Sequence, residues 1–415
     1  MSRIIADLHI HSKYSRATSR EMDVAALNRW AGMKGIDLLG TGDFTHPAYF
    51  AELKEKLEPT GRGLFRLKDK PPSVHFMLTA EVSNIFSAHG KTRRIHTVLF
   101  ASSFEVVEKI NATLSGWGKI ASDGRPTFGF PVKQLAKMVL DISEECMVIP
   151  AHVWTPWFSI FGDKSGFDSI EEAFGEFTPH IRVIETGLSS DPAMNWRLSA
   201  LDDITLVSNS DAHSPSRLGR EVNIFDCEMD YWLITEVLKT KDRSRFLKTV
   251  EFFPEEGKYH FDGHRACNVL FSPRETRDHN GICPQCGKPV TVGVMHRVEE
   301  LADRPEGYKP DHGIPFVRMV PLQEIIAETM GIGKDTTGVM REYEKLVEKG
   351  ESEFRILLDL SREELADFVP ERILEGIIRV REGNLKIAPG YDGVFGDVKI
   401  FGEGGGEEEK QMGLF

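Results

Sequence analysis

Short apolar runs alternate with longer amphipathic stretches through residues 1–252. The runs are rich in β-branched residues and have the length of strands, whereas the stretches between them carry apolar residues at helical spacing. This alternation is typical of repeated βα units. It predicts seven strands, at Arg3–Leu8, Ile36–Gly40, Val74–Thr79, Ile95–Phe100, Met147–Pro150, Ile181–Ile184 and Ile204–Ser208. Helices are predicted between them, at Ala25–Lys34, Val132–Leu140 and Tyr231–Leu238.

The pattern changes beyond residue 252. Residues 253–296 are rich in Gly, Pro, His and Cys and have little helical periodicity, which predicts a small metal-bound module. Residues 297–402 are expected to form a mostly helical domain, and residues 403–415 a flexible acidic tail. The predicted C-terminal elements are helices at Glu324–Met330, Val339–Lys349, Glu353–Leu358 and Arg372–Arg379, and a strand at Val398–Phe401.

Charge and composition restrict the function. The 415 residues include 51 Lys and Arg against 64 Asp and Glu, a formal net charge of −13. General attraction to nucleic acid is therefore excluded, and any DNA binding must use a local basic surface. No apolar run approaches the roughly 20 residues that span a bilayer, and the N-terminus has no signal-peptide core. Five cysteines, three of them clustered, disfavour a secreted disulfide framework, so we expect a cytoplasmic protein.

Histidines and acids lie on the predicted strands or directly after them. In a closed parallel barrel the carboxyl ends of the strands open onto one face, where these side chains would converge. Imidazoles and carboxylates packed so closely need cations between them, and mixed N/O ligation favours Zn²⁺, Mn²⁺ or Fe²⁺ over the harder Mg²⁺. We expect two or three divalent ions, a set suited to phosphate-ester hydrolysis. The candidate ligands are His9, His11, Asp43, Glu81, His96, His152, Asp211 and His213.

A single Asp-x-His-x-His motif, here Asp7 to His11, would be a weak signal by itself. The metal site is predicted because further ligand types recur at successive strand ends. Four histidines outside this pattern are interpreted as structural: His46, His75, His89 and His180.

At these positions the sequence resembles the polymerase and histidinol phosphatase (PHP) superfamily of metal-dependent phosphoesterases. The resemblance implies a distorted (β/α)7 barrel that binds three metal ions. It implies one ligand set of His9, His11, Glu81 and Asp211, a second of Glu81, His96 and His152, and a third of Asp43 and His213.

The chain departs from the PHP pattern at two places. Gly42-Asp43-Phe44 stands where the second motif usually carries an Asp-His pair, so Asp43 must substitute for a histidine. A further histidine that often follows the first motif is missing after His11. Both departures concern the third ion, for which a looser or different occupant is expected.

A second metal site is predicted within residues 253–296. Cys283-Pro-Gln-Cys286 forms a CxxC knuckle, and His264-Arg-Ala-Cys267 precedes it at a spacing typical of zinc ribbons. A structural Zn²⁺ held by thiolates and one imidazole is therefore expected. His264 fits the spacing for the fourth ligand, with His260 and His279 as alternatives.

The order of barrel, zinc module and helical domain narrows the resemblance to the endonuclease Q family. Agreement extends through most of residues 1–400 and includes Gly40–Asp43, Pro150–Trp157, Gly187–Ser189, Ser208–Pro215, Arg217–Arg220 and Gly257–His260. The resemblance implies an endonuclease that nicks DNA 5′ to hypoxanthine, uracil, xanthine and abasic sites, leaving 3′-hydroxyl and 5′-phosphate ends. A phosphatase of a small monoester such as histidinol phosphate and a non-enzymatic, clamp-tethered DNA-binding adaptor are the alternatives.

Four side chains near the predicted ligands are candidates for contact with DNA. Trp154 and Trp157, with Phe158 beside them, follow His152 and would stack on an extruded base, unless they are core residues of the barrel rim. Arg217 and Arg220 would contact phosphate, unless they are solvated surface charges. A further basic rim is predicted from Lys91, Arg93 and Arg94.

The last five residues, Gln411-Met-Gly-Leu-Phe415, resemble the pentapeptide that binds bacterial sliding clamps. Leu414 and Phe415 would fill an apolar pocket while Gln411 supplies hydrogen bonds. A bacterial sliding clamp is therefore the expected protein partner, and a terminus with two accidental apolar residues is the alternative.

Overall fold

The computed structural model describes residues 3–69 and 74–402. Its strands are β1 Arg3–Asp7, β2 Leu38–Gly40, β3 Leu57–Pro59, β4 Phe65–Leu67, β5 His75–Ala88, β6 Lys91–Ala101, β7 Thr127–Phe128, β8 Met147–Pro150, β9 Val183–Glu185, β10 Thr205–Val207, β11 Val222–Asp226, β12 Phe246–Glu251, β13 Asp262–His264, β14 Val269–Phe271, β15 Phe316–Arg318, β16 Lys386–Ala388 and β17 Asp397–Lys399. Its α-helices are α1 Val24–Lys34, α2 Pro47–Lys56, α3 Phe104–Ser115, α4 Val132–Ile142, α5 Ile170–Phe174, α6 Pro192–Asn195, α7 Tyr231–Thr240, α8 Pro273–Asp278, α9 Val294–Leu301, α10 Leu322–Met330, α11 Thr337–Gly350, α12 Arg362–Ala366 and α13 Glu371–Glu382.

Each of the seven predicted strands is present: five of them, β1, β2, β5, β6 and β8, belong to one mixed sheet, and β9 and β10 form a separate two-stranded sheet. β2 pairs in parallel with both β1 and β5, and β9 pairs in parallel with β10. Beyond the ends of β1 and β10, the N–H of His11 donates to the carbonyl of Ala212 over 3.0 Å, and the N–H of Asp211 donates to the carbonyl of His9 over 3.0 Å. These bonds bring the segments that follow β1 and β10 together.

The fourth predicted strand is β6, and it is antiparallel to its neighbours. The expectation that all the barrel strands are parallel is therefore wrong for β6. β6 is antiparallel to β5 and to β8, because a tight turn at His89 and Gly90, with φ of 53° and 72°, sends the chain directly back along β5. In this hairpin His96 lies opposite Ser83, and Glu81 is on the same face two residues away. The reversal therefore still presents His96 to Glu81.

The sheet continues past β1 through strands that were not predicted. β11 is antiparallel to β1, β12 is antiparallel to β11, and β15 pairs in parallel with β12. β15 comes from residues assigned to the C-terminal domain, and α9 crosses the predicted boundary at residue 296. The barrel sheet and the C-terminal region are thus more interwoven than the predicted boundaries at residues 252 and 296 imply.

The C-terminal region is mostly helical, as predicted. α10, α11 and α13 coincide with three of its four predicted helices, whereas the fourth is a π-helical turn at Arg355–Asp359. The strand predicted at Val398–Phe401 is realised as β17, which pairs with β16. Across residues 3–69 and 74–402, no helix combines the length and apolarity that a bilayer crossing requires.

A buried ion pair joins the C-terminal helices to the barrel. Lys34, at the end of α1, places Nζ 2.6 Å from the Glu353 carboxylate, and both side chains are almost fully buried. The same carboxylate accepts hydrogen bonds from the N–H of Leu322 over 3.0 Å and the hydroxyl of Tyr343 over 2.8 Å. Because the buried carboxylate has a partner for each oxygen, its loss would leave the Lys34 ammonium uncompensated.

We expect Glu353→Ala to lower the free energy of unfolding by about 3–5 kcal/mol, the usual cost of removing one partner of a buried ion pair. The matched control is Glu351→Ala, which removes an ion pair to Arg355 from a side chain that is 74% exposed; its cost should stay below about 1 kcal/mol. Urea denaturation followed by tryptophan fluorescence measures both. Equal unfolding midpoints for the two variants would show that the buried pair does not join these regions.

Candidate metal centre

The structure brings six of the eight predicted ligands into two groups that share one carboxylate. Within each group the ligand atoms lie within 4.8 Å of one another. The first group is His9, His11, Glu81 and Asp211, and the second is Glu81, His96 and His152. These are the first two ligand sets that the PHP resemblance implies.

Glu81 lies between the two groups and contacts both. Its Oε2 is 3.2 Å from Nε2 of His11, and its Oε1 is 2.7 Å from Nδ1 of His96 and 3.1 Å from Nε2 of His152. The carboxylate is fully buried. Its two oxygens therefore point to different groups, as a carboxylate that bridges two cations would require.

Backbone conformation helps to aim these ligands. Asp43, His152 and Asp211 have positive φ values of 47°, 31° and 47°, which residues with a Cβ adopt rarely. Hydrogen bonds hold two of them in place: the N–H of His152 donates to Glu185 over 2.9 Å, and that of Asp211 donates to the His9 carbonyl. Strain of this kind is typical of functional sites, where the surrounding structure maintains it.

Unpaired polar atoms point into the first group. Nε2 of His9, Nε2 of His11 and Oδ1 of Asp211 are buried and make no hydrogen bond of good geometry, although Nε2 of His11 lies 3.0 Å from Oδ1 of Asp211. Leaving such a group unsatisfied costs about 1–3 kcal/mol, and here a positive ion would satisfy all three at once. The donor set of imidazole nitrogens and carboxylate oxygens thus fits a divalent transition metal.

The ionisation of the second group also favours metal binding. Burial raises the pKa of Glu81, but its interactions with His96 and the Arg125 guanidinium, together with hydrogen bonds from His11 and His152, outweigh burial and hold the pKa well below its usual range. Burial lowers the pKa of His96 to about 4. An ionised carboxylate beside a neutral imidazole is the form in which both residues bind a cation.

Glu185 is a functional residue that the sequence analysis missed. It ends β9 and places its carboxylate 3.0 Å from Nδ1 of His9 while accepting 2.8 Å from Asn209. This contact fixes the tautomer of His9 so that Nε2 faces the ligand group. The sequence did carry a signal for Glu185. It is an acid directly after the sixth predicted strand, and acids and histidines at strand ends are the pattern that identified the other ligands.

Arg125 is a second missed residue, and no motif marks it. Its guanidinium lies 2.8 Å from Oε2 of Glu81, on the less buried side of the site. Arg125 precedes β7 and is distant in sequence from every predicted ligand. It adds a positive charge beside the bridging carboxylate.

The third ligand set that the resemblance implies, Asp43 and His213, stays a prediction. Within the part of the chain that the structure describes, neither belongs to a group of three or more ligands. Asp43 instead accepts from Ser12 and Ser15 and lies 3.2 Å from Nδ1 of His11, so it orients that imidazole. The His213 ring lies 4.4 Å from that of His11, and its Nδ1 is 2.8 Å from the carbonyl of Asp211.

A cavity of about 760 Å³ adjoins the metal centre. Thr155 connects the two, because its hydroxyl lies 3.2 Å from Nδ1 of His152 and also lines the cavity. Three of the four predicted DNA contacts, Trp157, Arg217 and Arg220, line the cavity, together with Lys258, Tyr259 and Phe395.

The structure corrects the prediction for Trp154. Its indole is only 1% exposed, packs on Phe161 and donates to Asn195 over 2.8 Å, so it is a core residue that cannot reach DNA. Arg93 of the predicted basic rim is likewise buried, with its guanidinium 4.1 Å from the ring of Phe167. Adjacency in sequence to a ligand did not indicate the direction of these side chains.

The cysteine-rich module forms a third candidate metal site. The ligand atoms of its four members lie within 4.8 Å of one another: His264, Cys267, Cys283 and Cys286. The alternatives for the fourth ligand lie elsewhere: the ring of His279 stacks on Phe271, and His260 lines the cavity. Thiolates and one imidazole are the donor set of a structural zinc site.

Comparison with known proteins agrees with this architecture. Residues 321–384 match the family model described as the MJ0043 C-terminal domain. The uncharacterized protein MJ0043 of Methanocaldococcus jannaschii is 32% identical over 254 residues, which are 60% of this chain but only 31% of that protein. The chain therefore spans less than a third of this relative's length.

Two solved structures are similar over nearly the whole chain. The lesion-specific endonuclease PfuEndoQ from Pyrococcus furiosus is 31% identical with a TM-score of 0.85, and the match covers 96% of this chain and 95% of that one. A complex of endonuclease Q with a 27-mer duplex carrying an abasic lesion at the active site is 32% identical with a TM-score of 0.83, covering 96% of both.

The fold and the paired ligand groups define a metal-binding α/β protein with an added cysteine-rich module. With 31% identity across 96% of its length, the chain belongs to the endonuclease Q family.

We expect Glu185→Gln to weaken binding of Mn²⁺ about 10–100-fold, because His9 loses the charge that orients it while every direct ligand remains. Calorimetric titration and metal content after dialysis measure the effect. The matched control, Glu176→Gln, changes an exposed acid elsewhere on the barrel and should bind normally. Equal affinity in both variants would contradict an orienting role for Glu185.

Proposed function

We propose that this protein is a metal-dependent DNA endonuclease that acts on duplexes carrying base lesions. The observation that carries the proposal is the pair of ligand groups that share Glu81 beside a cavity of about 760 Å³. Support comes from the similarity to endonuclease Q, one structure of which holds a duplex with an abasic lesion at its active site.

Two divalent ions, Zn, Mn, Mg or Fe, would be held by the two ligand groups. When bound, they lower the pKa of a water molecule and offset the charge of the phosphate. Glu185 and Asp43 contact Nδ1 of His9 and His11, which leaves the Nε2 atoms of both rings as the nitrogens that would bind the ions. Arg125, whose guanidinium lies 2.8 Å from Glu81, would contact a phosphate oxygen. The products would be a 3′-hydroxyl and a 5′-phosphate on the 5′ side of the lesion.

The cavity would receive the extruded nucleotide. Trp157 and Tyr259, whose rings are 5.8 Å apart, offer faces for stacking. Hypoxanthine, uracil and xanthine carry a carbonyl where their parent bases carry an amino group, so a donor in the wall would select them. Arg220 lines this cavity, and its guanidinium would supply such a donor. An abasic site would also enter the cavity, because a nucleotide without a base costs the least free energy to extrude from the duplex.

The cysteine-rich site would hold one structural zinc ion. Thiolate ligands and the odd number of cysteines favour a reducing compartment, and we place the protein in the cytoplasm. The complete ligand groups argue against a degenerate adaptor. A small-monoester phosphatase would not need the cavity walls that the regions beyond the barrel contribute.

With Mn²⁺ or Mg²⁺, we expect a labelled duplex with one hypoxanthine or uracil to be nicked 5′ to the lesion, and an undamaged duplex to stay intact. Asp211→Ala and His152→Ala should lower the nicking rate by at least about 100-fold, because each removes a ligand. Asp203→Ala, an exposed acid before β10, is the matched control. Faster hydrolysis of histidinol phosphate than of DNA, or lesion-independent nicking, would refute the proposal.

The C-terminal pentapeptide, Gln411–Phe415, lies outside the described residues, and its clamp-binding role rests on sequence alone. We propose that it binds a bacterial sliding clamp. Deleting Gln411–Phe415 should weaken binding to a purified clamp at least about tenfold, because an apolar anchor pair carries most of such an interface. Glu408→Ala, in the preceding acidic stretch, is the control. Unchanged binding after the deletion, or no binding by the full chain, would exclude the clamp.

A further inference from the structure

The loop between β16 and β17 presents an aromatic side chain to solvent at the mouth of the cavity. Phe395 is 72% exposed, the highest value among the large apolar side chains of the described residues. It also lines the cavity beside the metal centre. Trp157, which is 40% exposed, lines the same cavity, and exposed aromatic side chains grouped at one cavity are typical of a surface that a partner covers.

The loop is attached to the cavity wall by its backbone. The N–H groups of Gly390, Gly393 and Gly396 donate to the carbonyls of Glu255, Lys258 and Glu256 over 2.8, 2.8 and 3.1 Å. A Cβ at Gly396 would clash with the carbonyl of Glu255, so the close approach requires glycine there. The position of Phe395 relative to the cavity is therefore fixed by main-chain contacts.

The other side of the loop is attached to the cysteine-rich module. The Asp392 carboxylate accepts from the N–H of Arg265 over 2.7 Å and from the hydroxyl of Thr291 over 2.6 Å. The hydroxyl of Tyr391 lies 2.8 Å from Oδ1 of Asn268. Two separate segments thus hold the loop while its apolar tip remains exposed, which is the arrangement of a rigid protruding side chain.

We propose that Phe395 is a wedge that enters the base stack of the DNA and occupies the gap left by the extruded nucleotide. Apolar side chains that enter a base step offset the cost of unstacking it. The Lys258 ammonium, 5.7 Å from the Phe395 ring, supplies positive charge for the adjoining phosphates. The inference rests on the proposed function and assigns Phe395 as a positioning residue, since it acts on the stack and not on the reacting phosphate.

The test compares wild type with Phe395→Ala on the same lesion in two settings, a fully paired duplex and an unpaired bubble. On the duplex we expect the variant to lose about tenfold in nicking rate, because the cost of unstacking the base step is no longer offset. On the bubble, where the lesion is already unstacked, both proteins should act equally. Phe395→Leu, which keeps an apolar wedge, should recover most of the duplex activity.

A second measurement does not depend on cleavage. In the Asp211→Ala background, 2-aminopurine opposite the lesion should brighten on binding, and Phe395→Ala should remove most of that increase. Trp117→Ala, which removes an aromatic side chain that is 56% exposed and absent from the cavity wall, is the matched control and should behave as wild type.

Three results would overturn the wedge. An equal loss on duplex and bubble would indicate a general defect, and no loss on either would show that the ring is idle. If wild type nicks no lesion at all, the proposed function fails and the wedge fails with it. Wild-type nicking with an unaffected Phe395→Ala variant would remove the wedge alone.

Discussion

The structure around the metal centre depends on one buried carboxylate, that of Glu81. It has no solvent to stabilise its charge, and it has three imidazoles and the Arg125 guanidinium around it. A buried anion is costly unless cations compensate it. The long β5–β6 hairpin holds Glu81 and His96 on the same face of the sheet. The two oxygens of Glu81 point in different directions, and each direction defines one of the two ligand groups.

Carboxylates that orient imidazoles form a second layer around this arrangement. Glu185 fixes His9 and Asp43 fixes His11, so each imidazole presents its other nitrogen to the shared space. Asp43 thereby orients the ring of His11 through its charge, although the PHP resemblance implies that Asp43 itself binds a metal ion. The layer also explains why residues with positive φ are tolerated here, since the bonds that Asp43 and the His152 N–H make are lost if the backbone relaxes.

Strand positions and direct ligands could be predicted from the sequence because both follow local patterns. Met147–Pro150 matches β8 at both ends, and His264 was selected as the zinc ligand by spacing alone. The reversal of β6 was missed because apolar alternation is the same in parallel and antiparallel strands, so only the turn at Gly90 carried the information. Arg125 could not be found at all, since its contact with Glu81 depends on a fold that joins distant segments.

The barrel and the regions beyond it contribute different walls of the cavity. The barrel supplies the metal ligands, and with them a chemistry suited to any phosphate ester. Much of the opposite wall comes from residues 254–260 and from Phe395, which lie beyond the barrel, and the cysteine-rich module holds both the loop and the wall in place. A metal ion held by that module would therefore stabilise part of the cavity wall without taking part in the chemistry. Under the proposed function, hydrolysis would take place in the barrel, and these added regions would select a macromolecular substrate over a small ester.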